Sequence, residues 1–484
     1  MCTTTSPPRD RPMSTVIDFP LSVNPLPGFD AATAALRAVV LVEVQRARGS
    51  SDAFDFAAAE GRVHEAAYAT VRRALAEVLL AAEPESDLVE LDGAAYRRMS
   101  TTATIEVLGR HGGIPIERAL YRQIGVRNGP TIDPIALTCG LVEGRMTPAA
   151  AVAFGRLAQA VPWREAAETA NSMGVLPYSR STLQRNGELM GALWDDISDE
   201  AEQRLIEEFK IPEKAVSLSA SVDRVSLAFA EEREATAADR KRGISRPLSV
   251  VFHMAYCGVW TLHDAEGKPL HSVRYAYRPE LGADKLETAL REDITALLRR
   301  RKDLRVTTLA DGAPEMQNLL DRVTEDIDVE KRMVDFWHLI EKLGGAARAT
   351  NRRTKRLLKR FARALLSDDS AIEDIEQEVL SWAEPYQKER PKGLHDALTY
   401  IENQRERLRY ASARASGLPI GSGHVEATCK TIVSVRMKRC GARWKDDGAQ
   451  AILSLRSLAT SSRWEPAMAL LIDSHTARPK AVAA

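Results

Sequence analysis

Apolar positions along the chain fall into distinct regimes, and the changes between them mark out its elements. From about Ala31 to Ala82, Leu, Val, Ala and Phe recur with a helical period that breaks near Gly49 to Asp52, which predicts two helices. Tyr96 to Gln123 is instead β-flavoured (Thr101, Thr102, Thr104, Ile105, Val107, then Ile114 to Arg118) and predicts a small sheet or hairpin. Helical spacing returns over Thr147 to Ala160 and Trp163 to Met173. A turn with Gly174 and Pro177 follows, then a further helix over Ser179 to Trp194 and a charged linker helix over Asp195 to Phe209.

At Val216 the pattern changes abruptly. Val216 to Asp223 alternates apolar and small polar residues as a half-buried strand does, Arg246 to Thr261 is strand-rich, and Leu270 to Arg278 alternates again. Lys285 to Arg301 has an amphipathic helical period, Leu304 to Leu309 reads as a short strand, Pro314 to Thr324 as a helix and Val329 to Val334 as a strand. Three strands, helix, strand, helix, strand is the order of a ribonuclease H core, a mixed sheet with helices packed on it. Arg352 to Tyr410 is helical throughout and reads as an insertion in that core. The expected fold class is therefore α/β: a ribonuclease H-like mixed sheet with an all-helical insertion, behind a mostly helical N-terminal region that binds DNA.

The boundaries that follow are a disordered leader at 1–28, N-terminal helices at 29–95, and a β-containing segment plus helix-turn-helix region at 96–212. The core's first part spans 213–350, the insertion 351–415, the core's C-terminal helix 416–462 and a tail 463–484. A chain of 484 residues exceeds what one core supports, so several domains are expected. At 44% hydrophobic and 28% charged residues it has enough apolar side chains for real cores, which excludes wholesale disorder. No stretch is long and apolar enough to span a bilayer and the first 30 residues lack a secretory apolar segment, so a cytoplasmic, nucleoid-associated protein is expected. Cys2, Cys139, Cys257, Cys429 and Cys440 are scattered without zinc spacing, so neither disulfides nor a structural zinc is expected.

The formal charge sums to zero, 67 residues of each sign, which taken alone argues against a nucleic-acid partner. Its distribution argues the other way. Arg348 to Arg363 holds eight basic residues, among them Arg352, Arg353, Lys355 and Arg356, and no acid; Lys430 to Lys445 holds six, among them Lys430, Arg436, Lys438 and Arg439, and again no acid. One-signed runs of this kind suit phosphate contacts, whereas solvated helix faces usually mix signs. The helix, Gly turn and Ser-capped second helix ending at Trp194 have helix-turn-helix spacing, which would put Arg180, Gln184 and Arg185 at base edges. A plain helical hairpin has the same spacing.

Two acids are expected at strand ends: Asp223 closing the first strand and Asp311 closing the fourth, where Gly312 and Pro314 turn the chain away. A third, Glu426, falls in the first turn of a helix opened by Ser422 or Gly423; there Ile432, Val435 and Met437 would pack inward while Lys430, Arg436 and Lys438 face out. Carboxylates converging from rigid elements can hold two Mg2+ or Mn2+ ions for in-line phosphodiester chemistry. Each acid alone has a plainer reading, as turn chemistry or a surface charge.

SVDRV around Asp223, ADGAP around Asp311, DFWHLIEKL from Asp335 and GSGHVEATCKTIVSVRMKRCGARW from Gly421 together resemble bacterial insertion-sequence transposases of the Asp-Asp-Glu class, nearest the ISKra group. Asp335-Phe336-Trp337-His338 also looks like the Cys/Asp-x-x-His signature of Mutator-like transposases. The resemblance implies that Asp223, Asp311 and Glu426 bind the metals. It also implies that double-stranded DNA, as element ends and target, is the substrate, and that a homo-oligomer pairs two ends. Asp335, His338 and His424 read as structural groups beside the site. Related elements often carry cysteines suggestive of zinc near the stretch matching Tyr121 to Asn128, which has none here. A ribonuclease H-like nuclease or junction resolvase needs the same acids without strand transfer, and a domesticated DNA-binding regulator needs none of them.

Overall fold

The computed structural model describes residues 26–386 and 389–482. The expected leader lies mostly outside them, and from Pro27 onward that stretch is already helical. Helices α1 (Pro27–Gly49) and α2 (Phe56–Leu80) form an antiparallel pair, with Asp55 capping α2 through its carboxylate to the Ala58 N–H. Behind them lies an antiparallel sheet of β1 (Leu88–Leu91), β2 (Ala94–Gly109), β3 (Gly112–Gln123), β4 (Thr131–Ile132) and β10 (Lys480–Ala481), in the order β10-β1-β2-β3-β4. The expected tail at 463–484 is therefore structured. It contains helix α18 (Trp464–Ser474), whose Trp464, Met468 and Leu471 are buried, and it returns to pair Ala481 with Val89.

Four helices follow: α3 (Pro134–Thr138), α4 (Pro148–Ala160), α5 (Trp163–Ser172) and α6 (Arg180–Glu208). The expected recognition helix and linker helix are one continuous α6. Asp195 and Asp196, weak helix formers at that junction, are tolerated because tertiary contact overrides propensity: the half-buried Asp195 accepts from the Ser454 hydroxyl at 2.5 Å. Gly191 lets α6 approach α17 (Asp446–Thr460) so closely that a Cβ there would lie 2.4 Å from the Ala451 carbonyl oxygen.

The second sheet consists of β5 (Ser217–Glu232), β6 (Leu248–His263), β7 (Pro269–Tyr277), β8 (Arg305–Ala310) and β9 (Val329–Val334), with α7 (Ala237–Lys241) between β5 and β6. Its order is β7-β6-β5-β8-β9; the first three strands are antiparallel, while β8 and β9 run parallel to β5. Helices α8 (Gly282–Arg300) and α9 (Pro314–Val323) cover one face, burying Leu286, Leu290, Ile294 and Leu319 against Leu218, Val222 and Trp260. The chain is thus a mixed α/β protein with two sheets and many helices. Asp223 does not close β5, which runs on to Glu232 paired with β6, because Val225, Leu227 and Phe229 continue the buried alternation.

After β9 come α10 (Phe336–Ala349), α11 (Thr354–Leu365), α12 (Ala371–Ser381), α13 (Lys392–Gln404) and α14 (Tyr410–Ala415), packed around Phe361, Trp382, Leu394 and Ile401. The chain then returns to the sheet through α15 (Gly423–Thr428), a π-helical stretch Cys429–Ser434, and α16 (Val435–Met437). No described helix is long and apolar enough to cross a membrane.

Candidate active site and nucleic-acid surfaces

Strand register places three acids in one row. Ser221 of β5 is level with Leu309 of β8, and Ala310 of β8 is level with Val334 of β9. Carried one or two residues on, the register sets Asp223, in the middle of β5, level with Asp311 and Asp335, which directly follow the C-terminal ends of β8 and β9, on strands spaced about 4.8 Å apart. Beyond Ala310 the chain turns through Gly312 at φ +98°, so Asp311 is the last residue before the bend. Tyr400 and Gln404 of α13 clamp that bend, donating to the Asp311 carbonyl at 3.0 Å and the Gly312 carbonyl at 3.2 Å. The helical insertion therefore fixes one of the acids.

Each acid has a different environment. Asp223 accepts from the Arg224 N–H at 2.6 Å and from the Cys429 thiol at 3.4 Å. Burial pushes its carboxyl above the usual range and the charge of Asp311 adds to this, against those two hydrogen bonds. Asp335 is fully buried and accepts the backbone N–H of His338 at 2.8 Å and that of Ser422. Burial alone would raise it, but the hydrogen bonds from His338 and Ser422 outweigh that and hold it low. Asp335 thus caps α10 and ties it to the loop that delivers Glu426.

His338 is the meeting point. Its Nδ1 lies 3.3 Å from Asp335 Oδ1 and 3.9 Å from Glu426 Oε1. Its pKa is raised, first by Asp335 and then by the charges of Asp311 and Glu426. One donor atom each from Asp335, His338 and Glu426 falls within 4.8 Å of the others. Glu426 itself is exposed and sits in the first turn of α15. Among the described residues the donor set that comes together is thus Asp335, His338 and Glu426; Asp223 and Asp311 stand level with Asp335 across the sheet but are not part of that set. The half-buried His424 packs its ring edge-on against His263 with centroids 5.6 Å apart, and burial lowers its pKa.

Cys429 and Cys257 had not been singled out by sequence. Cys257 is level with Asp223 on β6, and Cys429 lies one turn beyond Glu426. Contact with Cys257 and burial both push the Cys429 thiol up, keeping it a neutral donor to Asp223. The i+3 spacing from Glu426 was a usable signal for Cys429; nothing local pointed to Tyr400 or Gln404.

Of the expected DNA-contacting residues, Arg180 and Arg185 are exposed on the first turns of α6, behind a Ser179 cap. Gln184 is half-buried and donates to Glu188 at 2.9 Å. Arg352, Arg353, Lys355 and Arg356 are exposed at the start of α11, where three of the arginines and Arg360 line an open cavity of about 550 Å³. Lys430, Lys438 and Arg439 are exposed. Arg436 is not: it is buried between the rings of Trp163 and Trp444, and its Nε donates to the Ala158 carbonyl at 3.1 Å. Burial drops its pKa to about 10. The reason is the π-helical stretch, whose wider turn shifts the phase of later positions. Val435, expected inside, is exposed, and Arg436, expected outside, takes its place.

No family model and no curated protein matches the chain. Among solved structures it is similar to a chain of the Drosophila P element transposase strand transfer complex, at 10% identity and a TM-score of 0.23, over 68% of this chain and 81% of that one. Two chains so far apart in geometry share too little for fold or function to pass from one to the other.

Proposed function

We propose that this protein is a DNA transposase of the Asp-Asp-Glu class, whose ribonuclease H-like core cleaves the ends of a mobile element and joins them to target DNA. The observation that carries the reading is the row of Asp223, Asp311 and Asp335 on adjacent parallel strands, with Glu426 and His338 closing over its end. The strand order β7-β6-β5-β8-β9, helices α8 and α9 on one face, and the helical insertion before Glu426 agree with it.

The donor set fits Mg2+ or Mn2+. Carboxylate oxygens dominate, the His338 imidazole is within reach of Glu426 and Asp335, and among the described residues no Lys or Arg lies within salt-bridge distance of Asp223 or Asp311. Closely spaced acids without a cation of their own are costly to keep ionised, which a bound divalent ion relieves. Asp223, Asp311 and Glu426 would hold two such ions, which when bound activate the attacking oxygen and stabilise the leaving oxygen of an in-line displacement. Asp223 and Asp311 are held by the sheet and by α13, so their carboxylates need little reorganisation. Asp335 spends its oxygens on two backbone N–H groups and acts by orienting His338 and the Ser422 turn. Hydrolysis and strand transfer need the same site, since each displaces an oxygen at phosphorus.

The reading is tested by incubating the full chain and magnesium with labelled DNA carrying inverted repeats from either side of its coding region. Cuts at the repeat boundaries leaving 3′-hydroxyls, followed by joined products, are expected. Cuts without joining would favour a nuclease, and absence of magnesium-dependent cutting would overturn the reading.

DNA binding divides between two surfaces. The start of α11 carries Arg353 as its cap and Lys355 and Arg356 in its first turn, with no acid there. Cations at a helix N-terminus oppose the helix dipole, and a phosphate would relieve this. Neutralising Arg352, Arg353, Lys355 and Arg356 should weaken binding to every duplex and flatten its salt dependence. Arg180→Ala with Arg185→Ala should instead weaken binding only to the element ends, by about 1–3 kcal/mol for each arginine that contacts a base. Titrations of specific and scrambled duplexes at several salt concentrations separate the two; equal losses on both duplexes for the α6 variant would return that helix to a plain hairpin.

A further inference from the structure

Past Ser221, β5 has no further pairing with β8, and on the tip side of Tyr256, β6 has none with β7. What remains is a two-stranded ribbon, 224–232 of β5 against 248–256 of β6, which runs about 30 Å beyond Asp223 by the rise of a strand. One face of the ribbon is covered: Val225, Leu227 and Phe229 pack into the core with Trp444, which also pairs with the β5 edge at Phe229.

The other face is bare. Leu248, Val250, Phe252 and Met254 occupy every second position of β6, so all four point the same way. Each is exposed, Phe252 at 70%. The residues opposite them on β5 are Glu232, Ala230, Ala228 and Ser226. Partners as small as Ala228 and Ala230 leave Phe252 and Val250 standing clear of the ribbon, where a large cross-strand neighbour would have covered them.

The segment 233–247 that joins the two strands is built around Asp239. Its carboxylate accepts from Arg233 at 2.6 Å, from the Thr236 hydroxyl at 2.7 Å and from the Thr236 N–H at 3.0 Å, while the Arg233 N–H donates to the Pro247 carbonyl at 3.0 Å. Arg246 pairs with Glu232. On the outside of this frame stand the consecutive, exposed Arg240, Lys241 and Arg242, with no acid at ion-pair distance among the described residues; Glu234 is the one acid of the segment that pairs with nothing described. Three like charges held on a rigid tip repel one another, and a polyanion relieves that repulsion.

We propose that this arm is a DNA-binding site of its own: Arg240, Lys241 and Arg242 hold phosphates of a duplex, and Phe252 enters the stack between two base pairs beside the cleavage point. A two-stranded ribbon fits a groove of B-form DNA, and an apolar side chain inserted at a base step unstacks it and bends the duplex. The tip cations select a nucleic acid over a protein as what covers the apolar row. The choice of DNA rests on the transposase reading; the arm adds to the starts of α6 and α11 a third surface and a task, deforming the duplex, beyond charge neutralisation and base contact.

Duplexes carrying 2-aminopurine at successive positions around the inverted-repeat boundary, mixed with the full chain in EDTA, test it. Wild type should brighten the probe at one position, as that base loses its stacking neighbour. Phe252→Ala should abolish the rise and Phe252→Leu should retain most of it. Arg240→Ala with Lys241→Ala and Arg242→Ala should weaken duplex binding about tenfold or more at moderate salt and lower the slope of log affinity against log salt by up to about three. All these side chains are exposed, so circular dichroism spectra should match wild type. A probe signal indifferent to Phe252, or a triple variant with wild-type affinity and salt dependence, would overturn the proposal and leave the apolar row to a protein partner. Neither measurement needs metal or the acids: a chain that binds and unstacks DNA through the arm but never cuts it would overturn the transposase reading and support this one.

Discussion

Changing Asp223, Asp311 or Glu426 singly to alanine should yield a folded chain that binds element ends at least as well as wild type but no longer cuts them. Each substitution removes one metal donor and one negative charge facing the scissile phosphate. Losing several kcal/mol of transition-state stabilisation, about 4, corresponds to roughly a thousandfold in rate, while binding rises slightly as repulsion is relieved. Asp335→Ala should behave differently. It removes the α10 cap and leaves the buried Ser422 N–H without an acceptor, together costing about 2–4 kcal/mol of stability alongside activity. The pH profile carries a second signature. Asp223 must lose its proton to hold a cation, and burial raises its pKa, so magnesium-dependent cutting should begin to fail on acidification at a higher pH than an ordinary carboxylate would give. Gel-based cleavage and binding assays on the same preparations check all of this. If Glu426→Ala still cuts, the third ligand is elsewhere; Asp335 in the row, then Glu315 and Glu341, become the groups to change.

The strands of the second sheet were legible because their alternation is regular and their helices amphipathic; the observed elements lie within two or three residues of the expected ones except where a tertiary contact intervenes. Asp223 looked like a strand terminus because Asp and Arg break an apolar run. Yet Val225, Leu227 and Phe229 keep the period, and they stay in the sheet because Trp444 closes over them: its N–H donates to the Ala228 carbonyl at 3.0 Å. Arg436 went wrong for a reason local sequence does not encode, since a π-helical turn changes which residues face inward without changing composition. The row of acids was partly visible: Asp311 and Asp335 each follow a short parallel strand by one residue. Their alignment with Asp223 needed the register. Asp335 then pairs with backbone: its bond to the His338 N–H is ordinary N-cap spacing, whereas its bond to the Ser422 N–H needed the fold.

The C-terminal segment, read from sequence as a tail, contains the residue whose loss should cost the most stability. Arg463 is buried between α17 and α18 and donates to Glu202 of α6, to the Tyr275 hydroxyl of β7 at 2.6 Å and to Asp293 of α8 at 3.0 Å. Asp293 also accepts from the Trp260 indole at 2.6 Å and from Tyr275 at 2.7 Å. One guanidinium thus joins the helical block to the second sheet and neutralises two buried acids. Arg463→Met keeps most of the volume but leaves both carboxylates without their cation, and breaking a buried pair on one side costs about 3–5 kcal/mol. Burial already pushes Glu202 up to about 7, against the attraction of Arg463; without that attraction its pKa moves higher. A carboxyl whose folded pKa exceeds its unfolded one adds stability at low pH and loses it as pH rises through the folded value. The variant should therefore be most impaired at pH 8 and recover part of its deficit at pH 6, as Glu202 takes up a proton. Urea unfolding of wild type and variant at both pH values, followed by circular dichroism, measures this. Equal midpoints at pH 8 would mean that the network holds no strain-bearing charge and that apolar packing of Trp464, Met468 and Leu471 alone secures the C-terminal helix.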